Sequence, residues 1–446
     1  MTKELYEEFF NGKTVTVMGL GLLGRGVGDT SFLAKNGCDL VVTDKKTKDE
    51  LFNSVAALKE FSEITYHLGG HVIADFEKKN FIIKAAGVPY DSEFIEHAKK
   101  QEIPVYMSAA LVSSLVMKHD MGVTIIGVTG TRGKSTTTQL IAYILRAAGL
   151  HVHIGGNVRG VANLPLLEVI EEGDYLIFEL DSWQLQGFGD LKISPNIAVF
   201  TSFMDDHMNY YKDDKERYFN DKAHIYRNQT EHDVLIVSPQ AASEIILREQ
   251  VSMVIPEDSG LLMKLIGEHN QMAGRLAYEA ASQCGLGDEE IRAAIQNFPG
   301  VEGRLQDLGF FGTDASIHVF NDNNATTPDA TIAAIDAINE TYNRKPILII
   351  GGSDKGLPLT ALEENILIGV KECIFLEGTG TSRLNLPKNN MYESLSLCVD
   401  KAFEIANDGD IILFSPSFAS FSKYFNNEYE KNDTFLDAVK KYKKAV

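Results

Sequence analysis

The run Gly127-Val128-Thr129-Gly130-Thr131-Arg132-Gly133-Lys134-Ser135-Thr136-Thr137-Thr138 places glycines, a lysine and several hydroxyls at a spacing suited to polyphosphate chemistry. Gly130 and Gly133 allow backbone N–H groups, including those of Thr131 and Arg132, to turn inward around phosphate oxygens. Lys134 supplies a positive charge, and the hydroxyls of Ser135 and Thr136 can hold Mg²⁺. Before the run, Val123-Thr124-Ile125-Ile126 reads as a buried strand; after it, Gln139-Leu140-Ile141-Ala142-Tyr143-Ile144-Leu145 has the apolar spacing of a helix. Strand, glycine loop and helix are the context the motif requires, so the segment implies a chain that binds ATP and works on it.

Other polar residues fall where neighbouring strands should end. Glu179 closes the apolar run Tyr175-Leu176-Ile177-Phe178, a position from which a carboxylate can reach Mg²⁺ beside a phosphate loop. Asp205, Asp206 and His207 follow the run Ile197-Ala198-Val199-Phe200, so their loop should open on the same edge. His207 can offer a neutral imidazole nitrogen to the metal, or can simply be a hydrogen-bonded loop histidine. Lys222 sits in the helical stretch Asp221-Lys222-Ala223-His224-Ile225-Tyr226-Arg227-Asn228 and on spacing alone reads as a surface lysine. Asn270, Arg304, Asp322 and Lys355 fall on turns between elements and are individually ordinary. Near the start, Gly19-Leu20-Gly21-Leu22-Leu23-Gly24 follows a strand and Asp44 ends the next, the spacing of a dinucleotide fingerprint with its ribose acid. That turn also serves any pyrophosphate-bearing nucleotide, such as a UDP-sugar, and no hydride-transfer site accompanies it.

The elements that must position these residues repeat one grammar. Thr14–Met18, Leu40–Thr43, Phe81–Lys84 and Pro104–Tyr106 alternate with helical patterns. The same alternation returns with Tyr175–Phe178, Ile197–Phe200 and Val234–Val237, and again with Ile317–Phe320, Pro346–Ile350, Glu372–Phe375 and Asp410–Phe414. Such alternation predicts parallel sheets faced by helices, with ligands beyond the carboxyl ends of the strands. At 446 residues, 44% of them hydrophobic, the chain has room for about three domains. The expected fold is α/β in three open domains: a Rossmann-like one over 1–107, a P-loop parallel sheet over 108–299 and a Rossmann-like one over 300–446.

A formal charge of −20 argues against a nucleic-acid surface. The four cysteines, Cys38, Cys284, Cys373 and Cys398, stand at neither metal-ligand nor redox spacing, which suits small buried side chains in a reducing compartment. The start of the chain lacks the apolar core of a secretion signal, and no run of about 18 apolar residues occurs, so no membrane span and a cytoplasmic location are expected.

Taken together the motifs resemble the Mur ligase family of peptidoglycan precursor synthesis, in the family's order and over nearly the whole chain. The resemblance rests on the phosphate loop with its triple threonine, Gly156-Asn157, Glu179 with Ser182 and Gln184-Leu185, Asp206-His207-Met208, Lys222 with Ile225-Tyr226 and Asn228, His269-Asn270, and Asp322 with Ala325-Thr326. The glycine fingerprint with Asp44, Gly69-Gly70-His71 and Ala86-Gly87-Val88-Pro89 are most like its D-glutamate-adding branch. That likeness implies a monomeric, cytoplasmic ligase using ATP and Mg²⁺, with UDP-N-acetylmuramoyl-L-alanine and D-glutamate as its other partners. A related ligase with another amino acid or a folate acceptor is the alternative. By the resemblance, Leu22, Leu23 and Asp44 would hold the UDP moiety, with Asn157 reaching in. Lys134, Ser135 and Thr136 would hold phosphates and metal, with Glu179 and His207 at metal positions. Lys222 matches a lysine that the family carbamylates with CO₂. Asn270, Arg304 and Asp322 match residues around the adenosine and its phosphates, and Thr326, Lys355 and Ser420 match the amino-acid pocket.

Four features depart from the family's pattern, the first being the phosphate loop, which has Thr131-Arg132 where Ser-Asn is commoner. Asn324 stands where the D-glutamate-adding members usually carry lysine, and Asp181 replaces a usual serine; both make the site less positive. The segment from Ser420 to Tyr429 differs from the usual aromatic-glutamate-arginine-glycine ending.

Overall fold

A computed structural model describes residues 3–206, 208–246, 251–258, 260–420, 424–425 and 427–443. The chain forms two compact units, Met1–Ser259 with Arg275–Ala294 and Gly260–Gly274 with Ile295–Val446.

The first unit holds two sheets. Short β-branched runs make the strands β1 (Thr14–Met18), β2 (Asp39–Asp44), β3 (Thr65–Leu68), β4 (Phe81–Lys84) and β5 (Val105–Tyr106), ordered β3-β2-β1-β4-β5. All pairings are parallel, with Val17 opposite both Val42 and Ile83. The chain leaves β1 toward β2 and later returns on the other side at β4, so the glycine loop after β1 opens where the strand order reverses. The second sheet comprises β6 (Thr124–Thr129), β7 (Val152–Gly156), β8 (Tyr175–Glu179), β9 (Ile197–Phe200), β10 (Val234–Val237) and β11 (Ser252–Val254), in the order β11-β10-β9-β6-β8-β7. It too is wholly parallel, and Val128 lies opposite Glu179 on one side and Val199 on the other. One continuous core runs from Phe10, Val17 and Phe32 to Phe178, Phe188 and Leu235. Each such fully buried side chain contributes about 1.5–3 kcal/mol.

The second unit carries β12 (Gln306–Phe311), β13 (Ile317–Asn321), β14 (Ile347–Ile350), β15 (Glu372–Leu376), β16 (Met391–Tyr392) and β17 (Ile411–Phe414), ordered β12-β13-β17-β14-β15-β16. Here the structure departs from the all-parallel expectation: β12 runs antiparallel to β13. The stretch 312–316 that joins them is a hairpin connection, too short for the dozen or more residues a parallel crossover needs. Alternate residues feed the two faces, Ile347 and Ile349 packing with Phe414 and Phe435, Leu348 and Ile350 with Phe320 and Leu413.

All four cysteines are free thiols, and burial pushes Cys38 up to about 12. Among the described residues no helix is long and apolar enough to cross a membrane.

Candidate active site

The phosphate loop follows β6 and leads into the helix Lys134–Ala147. Gly133 caps that helix at φ 85°, a left-handed conformation that costs glycine nothing. At Gly130 the constraint is proximity: a Cβ there would lie 2.1 Å from Thr201 Oγ1 and 2.8 Å from Ser202 N. Residues just beyond β9 brace the loop. Thr131 N donates to Ser202 O at 2.8 Å and Arg132 N to Ser202 Oγ at 2.8 Å, while Thr201 Oγ1 donates to Arg132 O. Arg132 Nη1 also meets Asp206 Oδ2 at 3.1 Å. The backbone donors expected of Thr131 and Arg132 are thus turned toward Ser202.

Two ammonium groups share one carbonyl at the loop. Lys134 Nζ donates to Gly130 O at 2.9 Å and to Thr131 O at 3.2 Å; Lys222 Nζ donates to Gly130 O at 2.9 Å. Lys222 lies in the helix Lys215–Ala223 and is 2% exposed, which overturns the surface reading that its spacing alone supports. The side chain points inward, its nitrogen 4.9 Å from the centroid of the ring of Tyr218, which is also buried. Burial, and then the Lys134 charge, hold the Lys222 amine well below the usual lysine range, while Asp181 and Asp206 oppose the shift. Ser135 Oγ donates to Glu179 Oε1 at 3.0 Å, Glu179 ending the strand paired with β6, and Thr136 is buried beside it in the helix. Ser135, Thr136, Glu179 and Lys222 therefore line one edge of the sheet. His207 lies outside the described residues. Among those residues no three His, Cys, Asp or Glu side chains gather as a metal site.

At the other sheet of this unit, Asp44 is committed to the glycine loop: Oδ2 accepts from Gly21 N at 3.0 Å and Oδ1 from Lys46 N at 2.9 Å. Leu22 is exposed and Leu23 half-buried beside it. Asn157, just past β7, reaches this loop through Arg25, whose Nη1 donates to Asn157 Oδ1 at 2.6 Å. Close packing holds the two segments together, since a Cβ at Gly28 would lie 2.5 Å from Ala162 Cβ and Leu164 N donates to Asp29 Oδ1 at 2.9 Å. Burial pushes Asp29 up to about 6.

In the second unit Asp322 follows β13, accepting from Leu305 N on Oδ1 and from Ser415 Oγ on Oδ2, each at 3.0 Å. Burial pushes it up to about 7, against the favourable charge of Arg304. Lys355 Nζ donates to Thr326 Oγ1 at 2.9 Å, which brings together two of the three residues expected around the amino acid. Ser420 is 5% exposed. Asn270 is buried and its Nδ2 donates to Ile266 O at 2.8 Å. Residues 421–423 and 426 of the atypical segment lie outside the described residues.

Residues 13–107 match the N-terminal domain of MurD-like Mur ligases and residues 128–255 match the Mur ligase middle domain. A relative from Borreliella afzelii (strain PKo), described as UDP-N-acetylmuramoylalanine--D-glutamate ligase, is 31% identical over 95% of this chain and 96% of its own length. The chain belongs to the Mur ligase family. A protein of the same description from Roseiflexus sp. (strain RS-1) is also 31% identical, over 97% of this Mur ligase and 99% of the relative. Among solved structures, Thermotoga maritima MurC superposes with a TM-score of 0.62 at 17% identity, covering 97% of this chain and 100% of its own. The MurF ligase of the same organism, in complex with ADP, gives 0.61 at 13% identity, with 99% of each chain covered. At such identities these two speak to the fold.

Three groups of this Mur ligase escaped the sequence reading. Ser202 and Thr201 carry no motif of their own, although their place after a strand adjoining the phosphate loop is a usable signal. Arg25 follows the glycine fingerprint directly, and its contact with Asn157 links residues 132 positions apart, which no local pattern reveals. Lys431 is buried in the second unit with an amphipathic helix around it, where a lysine is ordinarily assigned to the solvent face.

Proposed function

We propose that this chain is the ATP-dependent amide ligase that joins D-glutamate to UDP-N-acetylmuramoyl-L-alanine in peptidoglycan precursor synthesis. The observation that carries the reading is the loop at Gly130, where Lys134, Ser135 with Glu179, and a buried Lys222 meet. The full-length likeness to relatives described as D-glutamate ligases supports the amino acid. In this reading residues 1–107 hold the UDP-sugar, 108–299 the ATP and 300–446 the amino acid, in a monomeric cytoplasmic enzyme.

A carboxylate does not acylate an amine directly, because its leaving group would be oxide. The terminal carboxylate of the precursor therefore attacks the γ-phosphorus of ATP, ADP departs, and an acyl phosphate forms. The amine of D-glutamate then attacks the acyl carbon, inorganic phosphate leaves and the amine sheds a proton. Lys134 offsets charge between the two anions as they approach, and with the donors of Thr131 and Arg132 turned to Ser202, the first turn of the Lys134 helix receives the phosphates. Lys222 is suited to carbamylation because burial favours its neutral, nucleophilic amine: R–NH₂ and CO₂ give R–NH–COO⁻ and a proton. Ser135 and Glu179, with Thr136, His207 and that carbamate, would hold Mg²⁺, which when bound neutralises phosphate charge. Positioning rather than covalent chemistry by the protein accounts for most of the acceleration. Leu22, Leu23, Asp44 and Asn157 are assigned to the UDP-sugar, Asn270, Arg304 and Asp322 to ATP, and Thr326, Lys355 and Ser420 to the amino acid.

The test is phosphate release from ATP with UDP-N-acetylmuramoyl-L-alanine and a panel of D- and L-amino acids, with product masses. Release that requires both precursor and D-glutamate is expected. Release driven by another amino acid, or indifferent to the precursor, would overturn the assignment.

A further inference from the structure

Lys431 lies in the first turn of the helix Glu428–Lys440, is 1% exposed, and its Nζ has no hydrogen-bond partner. It does not serve as a cap, because Asn427 Oδ1 already accepts from Tyr429 N and Glu430 N at 3.0 and 2.9 Å. Its nitrogen stands 5.8 Å from the centroid of the Phe414 ring at the carboxyl end of β17. The charged groups acting on it are Glu428, Lys355 and Asp322. Asp322 already has Leu305 N on one oxygen and Ser415 Oγ on the other. The helix is fastened to the end of β13 and the loop that follows: Asn321 Nδ2 donates to Asn432 Oδ1 at 2.8 Å and Asn323 Nδ2 to Glu428 O at 2.9 Å. Among the described residues of the loops after β13 and β17, three more buried polar atoms have no protein partner: Asn323 Oδ1, Ser417 Oγ and Ser420 Oγ.

Burying an ammonium without an acceptor is costly, and a second lysine near enough to repel it adds to the cost. An anion held between Lys355 and Lys431 removes both penalties. An acidic amino acid brings two carboxylates, each needing a charged partner once desolvated, and Asn324 is neutral where a third cation could have stood.

We propose that Lys431 is a specificity-determining residue of the amino-acid site, its ammonium receiving one carboxylate of an acidic amino acid while Lys355 receives the other. The proposal rests on the reading of the chain as a D-glutamate ligase and names the group that selects a dicarboxylate. Burial and Lys355 push the Lys431 amine down to about 7, so an arriving carboxylate should restore its proton.

The experiment measures phosphate release by the wild type, Lys431→Met and Lys431→Arg against D-glutamate and its isosteric amide D-glutamine, with ATP and precursor saturating. Lys431→Met should raise KM for D-glutamate at least tenfold, leave kcat within about threefold and KM for ATP unchanged, and reduce the preference for D-glutamate over D-glutamine in proportion; Lys431→Arg should recover most of it. Unchanged KM and preference in Lys431→Met overturn the proposal while leaving the ligase reading intact. A wild type inactive with every acidic amino acid overturns both. A second readout uses wild-type protein labelled with ¹³C at the lysine ε carbons, Lys431 being assigned by comparison with Lys431→Arg. Saturating D-glutamate should raise its titration midpoint by more than one pH unit, and a midpoint that stays in place refutes the contact.

Discussion

Replacing Lys431 by methionine should make the protein more stable, and more so in acid. The substitution keeps an unbranched side chain as far as the ε position and removes an ammonium that has no hydrogen-bond partner in the folded protein. A lysine in the unfolded chain titrates at 10.5 and this one at about 7. Below pH 7 both states carry the proton and the wild type bears the whole penalty. Between 7 and 10.5 only the unfolded state holds it, so stability rises with pH, and above 10.5 the penalty is gone. At 1.36 kcal/mol for each unit, the wild type forgoes about 5 kcal/mol at pH 6 and about 2 kcal/mol at pH 9. Asp322, pushed up to about 7 by burial, is charged together with Lys431 only around pH 7, so the loss of that neighbour trims the gain there and leaves the comparison of pH 6 with pH 9 largely unaltered. Hydrogen exchange of peptides covering β17 and the helix Glu428–Lys440 reads the opening energy of this unit at both pH values. Lys431→Met should be slower to exchange at pH 6 by an amount that shrinks toward pH 9. A variant that opens more readily at pH 6, or a difference that does not change with pH, would show that the lysine is paired and that its burial needs no ligand to explain it.

Lys134→Ala should lower phosphate release by at least about 10²–10³-fold with the fold retained, since the charge nearest the loop is removed; near-normal turnover dependent on both substrates would remove Lys134 from its role. Lys222→Ala should be inactive and partly restored by acetate, whose carboxylate can occupy the space of a carbamate. An inactive variant indifferent to acetate speaks against the modification. Gly26→Ala would place a Cβ 2.2 Å from Leu20 O and 3.0 Å from Gly19 O, both backbone atoms that cannot turn aside. It should cost about 1–3 kcal/mol in a thermal or denaturant melt and raise KM for the UDP-precursor by disturbing the glycine loop; unchanged melting and KM would mean the loop is not constrained as described.

The sequence made legible whatever is local. The strands Thr14–Met18, Phe81–Lys84, Ile197–Phe200 and Val234–Val237 have the bounds that apolar runs predict, because strands buried on both faces in parallel sheets are near-continuous runs of Val, Ile and Phe. Less legible were β3, β7, β11 and β16, edge strands of their sheets, whose residues include histidine, glycine and serine. The phosphate loop could be read because its chemistry is written in twelve consecutive residues. Lys222 could be matched only through the family resemblance, and Lys431 was missed: the burial of each depends on elements distant in sequence, such as Gly130 for the first and Asp322 and Lys355 for the second. A lysine on an amphipathic helix carries no mark of the side it faces.

The two single-residue departures that make the site less positive have different physical meanings. Asp181 caps the helix Ser182–Leu191, its Oδ1 accepting from Gln184 N at 2.8 Å while Gln184 Oε1 accepts from Asp181 N at 3.2 Å. Serine and aspartate are near-equal caps, so exchanging one for the other preserves the helix start. Its charge still reaches Lys222, where with Asp206 it opposes the push from burial, Lys134 and Arg132. A serine there would leave the amine still more readily neutral. Asn324, by contrast, removes a cation outright, and a dicarboxylate cannot be desolvated against an amide alone. The missing charge must come from elsewhere in the same unit, and of the described lysines there, Lys431 is the one held out of water, within reach of the Lys355 charge, without a hydrogen-bond acceptor. Restoring a cation by Asn324→Lys should therefore make Lys431→Met tolerable, recovering most of the lost affinity for D-glutamate. A double variant as impaired as Lys431→Met alone would show that the two positions do not serve the same carboxylate.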